Sequence, residues 1–166
     1  MFFRLRRVIL LMFLTVNLHA LTVESFVFEE GTGRFDFGRF AITGVELENN
    51  ILKMPLEKDE YKNISVLTKD FYKKLELCFT DCPAEPGGNK SIRLDVVDIY
   101  RAGKIYLARV SFDDELLVTF IVSEHKYIAI RRPSDFIFKD KDFEAELKSK
   151  IKAKYLEIKN ESGQQE

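Results

Sequence analysis

The carboxy-terminal half of this chain is laid out as a stretched copy of its middle, and such an echo limits the architecture before any chemistry is considered. Residues 91–158 run strand, tight turn, strand, turn, strand, turn, strand, an Arg-Arg-Pro exit and an amphipathic helix. Residues 21–80 run strand, Gly-Thr-Gly turn, strand, Asn-Asn turn, strand, a Lys-Met-Pro exit and a shorter helical segment. Gly33-Arg34 aligns with Gly103-Lys104, Met54-Pro55 with Arg132-Pro133, and Phe71 to Leu75 with Phe143 to Leu147. The expectation is an α+β protein of two related antiparallel β-meander modules, 21–80 and 91–158, each closed by a helix and joined by a linker at 81–90. Because any two meanders followed by helices can be overlaid, the criterion for duplication is agreement of strand order between the halves.

The amino terminus is expected to lie outside this fold. Arg4, Arg6 and Arg7 precede an apolar run from Val8 to Val16, and Leu18-His19-Ala20 follows. A membrane helix needs roughly 20 apolar residues, so this shorter run suits a secretory signal peptide over 1–20, cleaved after Ala20. Translation from Met12 would remove the arginines and most of the apolar run, leaving a cytoplasmic protein. Without Arg4, Arg6 and Arg7 the 26 basic residues become 23 against 27 acidic, a net of −4. Such a balance excludes an avid, whole-surface polyanion binder. No later segment is long and apolar enough to be a membrane span.

Cys78 and Cys82 are the only cysteines. Two ligands do not make a structural zinc site, and no neighbouring histidine completes one. In an oxidising compartment the pair can close a small disulfide loop across a helix end; the alternative is one buried and one exposed thiol. Asn63-Ile64-Ser65, Asn89-Lys90-Ser91 and Asn160-Glu161-Ser162 match the glycosylation triplet, which matters only in a eukaryotic secretory route.

Phe26 and Phe28, then Phe35 and Phe37, flank a glycine-containing turn, which reads as a hairpin with the four rings on one face. Gly31-Thr32-Gly33 lacks the helix and lysine of a phosphate-binding loop. Residues 64–79 satisfy both helical and strand periodicity; Thr68 before Lys69-Asp70 is a good helix start, favouring a helix over 69–79. Pro83, Pro86, Gly87 and Gly88 then interrupt the pattern. Strands are expected at 92–100, 104–112, 116–123 and 127–132, joined by connections short enough to force antiparallel neighbours. Leu116 to Val122 is apolar on both faces and should be covered on both. The helix expected at 142–158 carries Phe143, Leu147, Ile151, Tyr155 and Ile158 on one stripe, and residues 159–166 read as a disordered tail.

Signatures of catalysis are thin, and the expectation is a non-enzyme without metal or cofactor. After residue 20 the one histidine is His125, in a turn beside Ser123 and Glu124; triad members come from separated segments. Asp113, Asp114 and Glu115 lack the glycine and spacing of a calcium loop. The basic residues are more informative. Arg131 and Arg132 end the last strand, and Lys148, Lys150, Lys152 and Lys154 recur along the helix. They form a candidate strip along a phosphate backbone, although no exposed aromatic platform is evident among them.

The second half resembles the SpoVG family of septation regulators. The resemblance rests on Asp95-Val96-Val97, Gly103-Lys104, Ala108 to Asp114, Leu116 to Val122, Tyr127 to Ile130, Pro133-Ser134 and the closing helix from Phe143 to Tyr155. The first half is similar more loosely, through Gly33-Arg34, Phe40 to Thr43, Asn50 to Pro55 and Tyr61 to Ile64. The resemblance implies a small non-enzymatic β module with a terminal helix, dimeric as single copies and able to bind nucleic acid, so that two copies in one chain form an internal pseudo-dimer. Two features depart from it: Asp135-Phe136 and Leu56-Glu57 stand where the family carries basic residues, and a leader is foreign to cytoplasmic regulators. Two functions therefore compete. One is a SpoVG-like regulator contacting nucleic acid through Arg131, Arg132 and the helix lysines; the other is an exported envelope module recognising a protein or small ligand.

Overall fold

A computed structural model describes residues 20–55, 63–89 and 91–162. The expected leader, apart from Ala20, and residues 163–166 of the expected tail lie outside the described residues, as does Leu56-Glu57. Ten strands and two helices follow in the order β1 (Ser25–Glu29), β2 (Thr32–Asp36), β3 (Phe40–Glu48), β4 (Ile51–Lys53), β5 (Ile64–Val66), α1 (Lys69–Leu77), β6 (Leu94–Ala102), β7 (Ile105–Phe112), β8 (Leu116–Glu124), β9 (Ile128–Arg131), β10 (Phe136–Phe138) and α2 (Lys141–Ser162). The α+β class, with two antiparallel sheets and a closing helix, is as the sequence suggests.

The strand order answers the criterion for duplication. In the first sheet β1, β2 and β3 form a meander, β4 pairs with the end of β3, and β10 pairs with its beginning. In the second, β6, β7 and β8 form a meander, β9 pairs with the end of β8, and β5 pairs with its beginning. The halves thus share one order of pairing, with a difference that the sequence reading did not contain. The fifth strand of each half crosses over to the other half's sheet. β7 occupies one edge of β8 along its length, so β5 and β9 lie end to end on the other edge.

The exchange explains Asp135-Phe136. Phe136 is fully buried in β10, stacked on Phe40 at 4.9 Å and tilted against Phe112 at 5.5 Å. The Asp135 carbonyl accepts from Thr43 N at 2.9 Å, and Arg132 Nη1 donates to the carbonyls of Pro133, Ser134 and Phe136. These residues seat the crossing strand. Phe40 from the first half also lies 6.1 Å from Phe143 of α2. Apolar side chains of both sheets and both helices form one contiguous core.

Local choices agree with this frame. Glu30 and Gly31, and Asn49 and Asn50, take positive φ in the two hairpin turns of the first half, as tight two-residue connections require. Thr68 Oγ1 accepts from Phe71 N at 3.2 Å and opens α1, while Asp140 accepts from Asp142 N and Phe143 N and opens α2. β8 is buried at Leu116, Val118, Thr119, Phe120 and Val122, thus on both faces. Of the four phenylalanines expected on one face, Phe26, Phe28 and Phe35 gather round Phe79, whereas Phe37 lies past the end of β2 and stacks on Phe40. A Cβ at Gly33 would come within 2.8 Å of the Phe26 ring and 3.0 Å of Phe79; only glycine leaves room there.

Helix α2 runs on to Ser162, beyond the end expected at 158, because Lys159 reaches back to Glu124 at 2.7 Å and holds its last turns. The 81–89 connection is also tied in: Glu85 N donates to the Val23 carbonyl, and Asn89 is buried. No helix among the described residues is long and apolar enough to cross a membrane.

Candidate functional site

A cleft on the outer face of the second sheet brings together three cations that carry no ion-pair partner among the described residues. Its geometry follows from register. Ser123 faces Ala129 across β8 and β9, while Tyr106 pairs with Val122, which brings Ile105 beside Ser123 on the same face. Small side chains at Ser123 and Ala129 leave a depression, and the β6–β7 and β8–β9 turns, at the same end of the sheet, raise its walls. The cleft encloses about 650 Å³ and is lined by Lys104, Ile105, Ser123, His125, Lys126, Tyr127, Ala129 and Arg131. Gly103, at φ +63°, lets the β6–β7 connection close in two residues and sets Lys104 on the rim. Among the described residues, Lys104, Lys126 and Arg131 have no ion-pair partner. Tyr127, 76 % exposed, stands beside them.

The structure divides the residues proposed from sequence. Arg131 enters the cleft. Arg132 does not, since its guanidinium is spent on the three carbonyls that seat β10. The four helix lysines do not form one strip. Phe143, Leu147, Ile151 and Tyr155 face the core; Lys148 and Lys152 each follow a buried residue by one position, Lys150 and Lys154 each precede one. At about 100° per residue the two pairs fall on opposite flanks of the helix. Lys148 and Lys152 border a groove of about 500 Å³ with Ile128, Ala129, Ile130, Ala145 and Ser149, on the other side of β9. Lys148 is paired with Glu144 at 2.6 Å and Lys154 with Glu157 at 2.8 Å.

Sequence reasoning missed Lys104, Lys126 and Tyr127. The available signal was the position of Lys104 and Lys126 in the two turns that an antiparallel meander brings to the same end of the sheet. The Ser123-Glu124-His125 run does not converge: Ser123 and His125 line the cleft, while Glu124 turns to α2 and accepts from Tyr155 Oη at 2.8 Å and from Lys159. The bonds from Lys159, and next from Tyr155, hold the Glu124 carboxyl below its ordinary range. Burial, with the Glu124 bond second, pushes the Tyr155 hydroxyl up to about 12. These groups fasten the helix to the sheet.

The acidic turn is equally divided. Asp113 Oδ1 accepts from Arg93 N at 2.8 Å, Asp114 pairs with the Arg93 guanidinium, and Glu115 Oε2 accepts from Leu21 N at 2.7 Å. No group of three His, Cys, Asp or Glu side chains suited to a metal ion occurs among the described residues. Cys78, which caps α1, and Cys82 form a disulfide. Asn63 and Asn89 are buried, so two of the three glycosylation triplets are inaccessible in the folded chain. No family model, curated protein or solved structure matches this chain.

Proposed function

We propose that this protein is an exported, non-catalytic binding module that takes an anionic ligand in the cleft beside β9. The observation that carries the reading is the convergence of Lys104, Lys126 and Arg131, unpaired among the described residues, round a floor of small side chains. Exposed cations clustered without carboxylate partners favour an anion between them. Export is supported by the Arg-rich, apolar leader layout and by the Cys78–Cys82 disulfide, a linkage characteristic of oxidising compartments. A non-catalytic role is supported by the dispersal of Ser123, Glu124 and His125 and of the acidic turn onto separate structural tasks.

A second reading, the SpoVG-like regulator that binds nucleic acid, is supported by Tyr127. An exposed ring beside three cations is the combination that single-strand binders use, with bases stacking on the ring and phosphates on the cations. This reading needs a cytoplasmic body. The site, in either case, is the Lys104–Lys126–Arg131 cleft rather than the lysines of α2.

Cell fractionation separates the two, with single-stranded DNA and heparin as probes of the purified protein. Three cations neutralising three phosphates contribute about 2 to the log–log salt slope on a single strand. The triple change Lys104→Gln, Lys126→Gln and Arg131→Gln should therefore flatten the slope by about that amount and lower heparin retention. Lys150→Gln with Lys154→Gln should leave both nearly unchanged. Equal losses from the two sets of substitutions would remove the cleft reading.

A further inference from the structure

Leu21 is held with more fastening than a chain entering from a leader needs. Its side chain is fully buried, as is that of Val23, while Ala20 immediately before it is exposed. Leu21 N donates to Glu115 Oε2 at 2.7 Å, across 94 residues of sequence. The Leu21 carbonyl accepts from Lys74 Nζ at 2.9 Å. Thr22 N donates to Asn89 Oδ1 at 2.9 Å, and Asn89 Nδ2 donates back to the Thr22 carbonyl and to that of Phe37. Glu24 N donates to the Asp36 carbonyl and the Val23 carbonyl accepts from Glu85 N, both at 2.8 Å. The segment thus lies in a fixed channel between the halves, and the first atom in it is a backbone nitrogen aimed at a carboxylate.

We propose that cleavage between Ala20 and Leu21 turns this nitrogen into an α-ammonium group that forms an ion pair with Glu115 and locks the amino-terminal segment into the fold. The inference rests on the exported reading, which supplies the peptidase. In the cleavage, water adds its hydroxyl to the Ala20 carbonyl carbon and a proton to the Leu21 nitrogen; the peptide bond breaks to a carboxylate and an amine, protonated at neutral pH. The carboxylate leaves with the leader. The ammonium stays 2.7 Å from Glu115 Oε2, where one neutral donor stood before.

The charges round Glu115 leave a place for this cation. Asp70 and Lys74 face it from α1 and Asp113 from the β7–β8 turn, so three carboxylates are set against one lysine. In the unprocessed chain, burial holds the Glu115 carboxyl above its ordinary range, with the Leu21 amide and Lys74 opposing and Asp113 and Asp70 adding to the rise. An ammonium in contact reverses that balance. Position selects the bond that must be cut. An extra residue displaces the amine by roughly 3.5 Å, out of contact with Glu115, and a cut one residue later removes the buried leucine.

The exported protein itself provides the test, with mass spectrometry of its amino terminus and urea unfolding read across pH. The mature chain is expected to begin at Leu21. Glu115→Gln should lower its folding equilibrium constant about tenfold or more near neutral pH, and substantially less in a mature form with one glycine inserted between Ala20 and Leu21. The paired amine should titrate above the ordinary 7.7–8.0 or so of an α-amino group. Its stabilisation is then full below that value and lost as pH rises through the raised one. The α-amine should accordingly react more slowly with an acylating reagent at about pH 8 in the folded protein than in urea, a readout on the native sequence that needs no variant. Retention of the protein in the cytoplasm would overturn the exported reading and this inference with it. A mature chain that starts at Leu21 but has equal Glu115→Gln losses with and without the glycine, or an amine of ordinary reactivity, overturns the ion pair alone.

Discussion

The exchange of β5 and β10 makes the two halves mechanically inseparable, and Phe136→Ala tests this most directly. Phe136 belongs to the second half of the sequence, sits in the first half's sheet and is fully buried. Its ring lies 4.9 Å from Phe40, 5.5 Å from Phe112, 5.7 Å from Phe120 and 5.1 Å from Phe138. Removing a buried phenyl ring costs about 3–5 kcal/mol, the higher end applying where neighbours cannot collapse into the space. Backbone pairing of β10 with β3 holds the walls apart, which favours the higher end. With a urea dependence of about 2 kcal/mol per molar, the midpoint falls by roughly 1.5–2.5 M. Far-UV circular dichroism gives the midpoint, and hydrogen exchange of the β2 and β7 amides reports each sheet separately. Both sheets should lose the same free energy in one transition, because one core serves both. Loss of protection in β2 with full retention in β7 would refute the shared core and return the chain to two independent modules.

Reduction of the Cys78–Cys82 disulfide should destabilise the protein by about 2 kcal/mol, the loop-closure entropy of so short a loop; identical urea curves with and without reductant would count against it. Gly33→Ala should cost about 1–3 kcal/mol by forcing the Phe26 and Phe79 rings apart, and Phe79→Ala in the same chain should recover part of that loss in a double-mutant cycle. Because the Glu124 carboxyl is held below its ordinary range, its contribution is present above the ordinary carboxylate pKa and lost as pH falls through the lowered one. Glu124→Gln should therefore flatten the acid limb of the stability profile. By ultraviolet titration, the same substitution should bring Tyr155 down from about 12 yet leave it above the ordinary tyrosine value, since burial is the larger cause.

Local chemistry in the sequence determined the elements themselves. Alternating apolar residues, tight turns at Asn49-Asn50 and Gly103-Lys104, and the Thr68 cap each act within a few residues, where sterics and short hydrogen bonds decide the outcome. The parallel order of the two halves was legible for the same reason. The tertiary structure alone decided which half each short strand serves. β5 and β10 have three residues each, too few to carry a periodic signature, and their partners are set by the burial of Ile64 and Phe136 in a core assembled from both halves. It also decided which cations are free. Arg131 and Arg132 are adjacent and chemically identical, yet strand alternation and the crossing of β10 give one to the cleft and consume the other. The meeting of Leu21 with Glu115 depends on the same long-range assembly. Nothing in either neighbourhood marks the pair, because a hydrogen bond across 94 residues exists only once the sheets have closed around it.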